Sequence, residues 1–148
     1  MELSADAFAE LVDSMGDAVV VADAGGRIAY WNGSAERMFG WPSEEAVGQT
    51  LDLIIPERLR QRHWDGSHNV METGETRYGH DLLRVPAVRR SGERMSIAFT
   101  VCLLHDGDGP PGGIAAVIRD ESERWAEEQA LRRRVSELER STPSPPST

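Results

Sequence analysis

Cysteine occurs once in the 148 residues, as Cys102. A single thiol excludes an internal disulfide and any Cys-x-x-Cys metal site. Long apolar runs are also missing: "AVVVA" and "GGIAAVI" are far too short to cross a bilayer. Positive charge is in deficit, with 16 basic against 25 acidic residues, a net charge of -9 and a pI near 4.9. Duplex DNA and anionic membranes both demand a positive surface, so neither is expected as a direct partner. The opening "MELSADAFAELVDSMG" is acidic and interrupted by polar residues, unlike a signal peptide, so a cytoplasmic protein is expected. No basic stripe interleaves Trp31, Trp41 and Trp64, which therefore read as packing and rim residues and not as a platform for bases. There is no Gly-rich phosphate loop, no Ser-His-Asp arrangement and no paired-acid motif, so the expected function is non-enzymatic. His68 stands five residues from His63, about 140° round a helix, which is wrong for a shared metal. The "HD" pairs at His80 and His105 lack the second half of a metal-dependent hydrolase site and read as loop or strand-edge residues.

What is present is periodic. Phe8, Leu11, Val12 and Met15 follow the spacing of a short amphipathic helix, with Ser4 as N-cap and Gly16 as stop. "DAVVVADAGGRIAYWN" reads as two strands joined by a tight reversal at "DAGG". "SAERMFGW" and "PSEEAVGQ" are short helical pieces, and Asn32 is placed to cap the first. After Pro56 a longer helix begins, ended by the glycine of "ETGET". Leu59, His63, Gly66 and Val70 share one stripe of it, so His63 is expected to look inward with glycine-made space beside it. Three strands follow, "YGHDLLRVPAV", "ERMSIAFTVCLL" and "GGIAAVIRD". In the middle one Met95, Ile97, Phe99, Val101 and Leu103 alternate with smaller or polar residues and should face the core, leaving Cys102 outside. A charged helix runs on to Arg140, and "STPSPPST" is a disordered tail by composition. The order of elements predicts an α+β domain with an antiparallel sheet. The expected division is an N-terminal helix over 1–16, a sensor domain over 17–120, a signalling and dimerisation helix over 121–140, and a tail over 141–148.

Five segments in register resemble the PAS domain family: "DAVVVADAGGRIAYWNGSAERMFGW", "EEAVGQTLDLIIPE", "METGE", "RRSGERMSIAFTV" and "GGIAAVIRDESER". The resemblance implies a five-stranded antiparallel sheet of order 2-1-5-4-3, with helices on one face and flanking helices at both ends. It also implies a small-molecule cavity, lined here by Leu59, His63, Gly66, Val70, Arg84, Phe99 and Val101. "RDESER" stands where the family carries an Asp-x-Thr signature before its exit helix. By that resemblance Asp120, Ser122 and Trp125 inherit a signalling role, the bland alternative being a plain helix cap.

The flavin-photoadduct branch of the family needs a cysteine on the helix before the long one; "VGQTLDL" has none, so that branch is excluded. The oxygen-sensing haem branch is nearer. "PERLRQRHWDG" matches its pattern at Pro56, Glu57, Arg60, Arg62 and His63, which would make His63 the proximal iron ligand and Arg84 the distal residue. An inward imidazole also serves as a packed core residue, and spacing does not choose between these. On the exit helix Leu131, Val135 and Leu138 form a seam of fewer than about two heptads, too short for a self-sufficient coiled coil. The expected use is a homodimer contact shared with Phe8, Leu11 and Met15. Output is then expected from dimer rearrangement or from a separate kinase or transcription regulator.

Overall fold

The computed structural model describes residues 1–74 and 81–141. His80, the first part of the expected third strand and the tail 142–148 lie outside the described residues. The chain runs α1 (Ala5–Ser14), β1 (Ala18–Asp23), β2 (Ile28–Trp31), α2 (Gly33–Phe39), α3 (Ser43–Ala46), two 3-10 turns (Leu51–Leu53 and Glu57–Leu59), α4 (Arg60–Thr73), β3 (Leu83–Val88), β4 (Arg94–Leu104), β5 (Gly113–Asp120) and α5 (Ser122–Ser141). The strands form one antiparallel sheet of order β2-β1-β5-β4-β3.

Local chemistry explains the corners. At the β1–β2 reversal Asp23 Oδ1 accepts from the backbone N–H groups of Gly25 and Arg27, both at 3.0 Å, while Gly26 takes φ +82°. A Cβ on Gly26 would also lie 2.2 Å from the ring of Trp64, so this position needs glycine twice over. Asn32 is fully buried and saturates its amide. Its Oδ1 accepts from Ala35 N at 3.0 Å, capping α2, and from Val19 N at 2.9 Å. Its Nδ2 donates to the carbonyls of Val12 (2.9 Å) and Asp17 (3.1 Å). One side chain thus fastens α1, β1 and α2 together, with both polar atoms of its own amide met. Ser4 caps α1 through a 3.1 Å bond from Ala7 N, and α1 ends at Ser14, short of Gly16.

The inner face of the sheet follows the register. Ala18 pairs with Ile118, Phe99 with Ile118 and Ala87 with Met95, and these residues meet Ile28, Trp31 and Phe39 in one cluster. Phe99 and Val101 therefore face inward and Cys102 is exposed on the other side, as alternation requires. Ala98 is buried as well, although it faces outward. The start of α5 lies over that end of β4, tied by Ser96 N to Ser122 Oγ (3.0 Å) and Glu121 N to Ser96 O (2.8 Å).

Candidate functional site

α4 carries the first set of candidate residues, and it is only half-buried along its inner face. No described side chain on it is fully buried, and it lies closely along no strand. It is pinned near its ends instead. Trp64 donates Nε1–H to Asp52 Oδ1 at 3.0 Å and lays its ring against Gly26. Arg60 reaches the carbonyls of Ile55 (3.1 Å) and Asp52 (3.3 Å). Gly74, at φ +70°, closes the helix through its N–H to Val70 O and lies near Pro111.

His63 sits between these anchors, half-buried, with its ring edge-on to Trp64 at 5.4 Å. Its Nδ1 is buried and has no hydrogen-bond partner among the described residues. Burial pushes the imidazole below its ordinary value of 6.5, and the nearby Asp52 carboxylate offsets this only in part. The ring is therefore neutral near pH 7, with one nitrogen turned into the protein and unmet. Leu59, Val70, Phe99 and Val101 are each half-buried.

Two residues expected beside His63 are elsewhere. Gly66 is exposed, and a Cβ built there would meet nothing within 4 Å. The half-buried face of α4 passes through His63, Trp64, Ser67 and Val70, which turns Gly66 towards solvent. Arg84 is exposed on the outer face, because Leu83 is the residue that pairs with Phe99. A strand has period two, so one step in register moves a side chain through the sheet. Haem does not fit this arrangement. A proximal imidazole bound through Nε2 donates Nδ1–H to a fixed oxygen, but among the described residues Nδ1 has no acceptor, and the intended distal arginine faces away. Among the described residues no three of His, Cys, Asp and Glu are grouped for a metal, and no helix is long and apolar enough to cross a membrane.

The second set of candidates lies where β5 becomes α5, and there the Asp120 carboxylate is bonded at both oxygens. Asp120 Oδ1 accepts from Ser122 N at 2.9 Å, and its Oδ2 accepts from Arg89 at 2.7 Å. Burial pushes the Asp120 carboxyl upward, but hydrogen bonds from Ser122 and Arg89 and the charge of Arg89 together hold it below its ordinary value. The same Arg89 donates to the carbonyl of Met38 near the end of α2, and its neighbour Arg90 donates N–H to Phe39 O at 2.8 Å. In the sequence Arg89 stands only inside the family-like segment "RRSGERMSIAFTV", and no role is assigned to it. Its partners lie 51 and 31 residues away, so no local pattern marks it. Asp52 was missed for the same reason. Trp125, the third signalling candidate, is 53% exposed on α5.

The comparisons agree with this geometry. A protein from Azorhizobium caulinodans is 33% identical over 127 residues, covering 83% of this chain and 17% of that protein. Sensor protein FixL of Bradyrhizobium diazoefficiens is 27% identical over 128 residues, 86% of this chain and 25% of its own length. The chain thus spans a quarter or less of these relatives. Among solved structures, the PAS domain of a protein from Colwellia psychrerythraea superposes with a TM-score of 0.69 at 20% identity, over 80% of this chain and 97% of that one. A sequence profile of the PAS fold matches residues 6–120. With that match across most of its length and the 2-1-5-4-3 sheet in place, the chain belongs to the PAS family.

Proposed function

We propose that this chain is a non-enzymatic sensory module that takes a small ligand between α4 and the inner face of the sheet and reports its presence through α5. The single observation that carries the reading is Arg89. One guanidinium holds both the Met38 carbonyl in the helical layer and the Asp120 carboxylate at the root of α5. A shift of the helices over the sheet therefore bears on the exit helix through a charge-assisted contact. At the input end, the unmet Nδ1 of His63 and the half-buried Leu59, Val70, Phe99 and Val101 suit a mostly apolar molecule with one hydrogen-bonding group. The relative FixL carries the name of a sensor protein, which supports the class and not the ligand.

The module acts as a homodimer in this reading. Phe8 and Leu11 on α1 and Leu131, Val135 and Leu138 on α5 are all more than half exposed, and no residue of either helix is fully buried. A cytoplasmic output partner, a kinase or a transcription regulator, receives the signal.

Native mass spectrometry of freshly purified protein tests the ligand: a bound mass released on denaturation is expected. A chain that carries none, and whose α5 exchanges hydrogen at the same rate in wild type and Arg89→Ala, is a structural dimerisation domain instead. Hemin at one equivalent should give no stoichiometric Soret band, whereas a band abolished by His63→Ala would restore iron to the site. Leu131→Asp should give folded monomers by light scattering and circular dichroism; a persistent dimer would move the interface off α5.

A further inference from the structure

A cleft of about 300 Å³ lies between β3 and the first three turns of α5, lined by Arg84, Glu121, Arg124, Trp125, Glu128 and Arg132. We propose that it binds a planar aromatic carboxylate, at a site separate from the one beneath α4.

The stripe that α5 turns towards the cleft carries the first argument. Trp125, Glu128 and Arg132 follow at steps of three and four on one helical face, in line with Glu121 just before the helix. A helix laid dry on a sheet presents aliphatic residues there; this one presents three charges and an indole. Closing such a gap without an occupant would strip water from those charges. The space therefore stays open to solvent or to a polar guest.

Charge selects the guest. Three guanidiniums and two carboxylates line the cleft, an excess of one positive charge on a chain whose net charge is -9. None of Arg84, Arg124 and Arg132 lies within ion-pair distance of a carboxylate among the described residues. The charge of Glu121 also acts on Arg119, away from the cleft. A single carboxylate balances the excess and fits the two-pronged geometry of a guanidinium.

Trp125 adds the shape. It is 53% exposed beside these cations, although an indole gains by leaving water. A flat ring stacked on it would be covered on one side by indole, with its carboxylate towards the arginines. The volume stands at the lower end for small-molecule pockets, enough for a one- or two-ring acid. Such a guest would bridge β3 and α5 beyond the Asp120 junction, fastening the exit helix to the sheet.

The probe is 1-naphthoate, followed by the indole N–H signals of the ¹⁵N-labelled chain. The expected result is a saturable shift of the Trp125 signal, with Trp31, Trp41 and Trp64 unmoved. Neutral 1-naphthalenemethanol and non-aromatic cyclohexanecarboxylate should each bind at least about tenfold more weakly. Arg84→Gln, read at the Trp125 indole, and Trp125→Leu, read at the backbone amides of α5, both at exposed positions, should each weaken naphthoate by a similar factor while leaving the circular dichroism unchanged. The proposal is overturned by the absence of any Trp125 shift, by equal binding of the neutral alcohol, or by binding that survives both substitutions. A shift at Trp64 in place of Trp125 would also overturn it, and would point to the α4 site.

Discussion

The flank of α4 and the root of α5 are built in opposite ways. Around α4 the helix is held at its ends, its middle is half-buried, and a ring nitrogen of His63 is left inside without a partner among the described residues. At the root of α5 the Asp120 carboxylate is bonded at both oxygens, Ser122 is tied to β4, and Arg89 reaches across to α2. An unmet buried polar atom is costly, and a loosely seated helix forfeits packing. A junction so bonded resists independent movement. The contrast suits a domain that changes at α4 and transmits at α5.

Substitutions can widen or erase this contrast. The largest effect is expected from Gly26→Val, which would drive a β-branched side chain into the Trp64 ring at a residue held at φ +82°. Overpacking costs about 1–3 kcal/mol, and forcing that backbone adds a strain of the same order. Urea unfolding followed by tryptophan fluorescence should show a lower midpoint, with α4 the first element to lose hydrogen-exchange protection. A midpoint equal to wild type would mean that Trp64 moves aside and that α4 is not pinned there.

Arg89→Ala comes next. It leaves the Met38 carbonyl and the Asp120 carboxylate without their shared donor, at about 1.5–3 kcal/mol for a hydrogen-bonded charged group. Exchange should quicken at both the end of α2 and the start of α5. Faster exchange at only one of them would break the link between the two regions. Asp120→Ala should act more locally, at about 0.5–2 kcal/mol as for a lost cap, and release residues 122–128 while the sheet stays protected. Loss of protection spread over all five strands would deny that the junction is a local hinge.

The smallest effect is expected from pH at α4. Burial lowers the His63 pKa below 6.5 in the folded chain, so the unfolded chain binds the proton first as pH falls. Stability is then fully present above about pH 6.5 and declines below it, until the folded-state value is passed. His63→Leu should flatten that part of the profile. Asp120 acts in a lower window: its carboxyl is held below 3.8 in the fold, so its contribution is lost only as pH falls through that range. A stability curve flat between pH 7 and 5 in wild type would place His63 in water.

Period and punctuation determined the elements. Alternation in "RMSIAFTVCLL" put Phe99 and Val101 on the inner face, the glycines of "DAGG" and "ETGE" marked a reversal and a helix end, and Asn32 stood where a cap belonged. These are effects of neighbours within a few residues, so a linear reading reaches them. The sheet order came from the family resemblance, and the structure has it. What spacing could not settle was which side of an element counts as inside. Gly66 shares a stripe with His63 on paper, but the half-buried arc of α4 is centred further round, through Trp64 and Ser67. Arg84 was one register step from the inner face, and pairing with β4 put it outside. Arg89, Asp52 and the Trp64–Gly26 contact are products of folding, because their partners lie 12 to 51 residues away or on another element. A side chain's own neighbours set its periodicity, but its hydrogen-bond partner and its exposure are set by whatever the rest of the chain brings alongside, and only the folded packing supplies that.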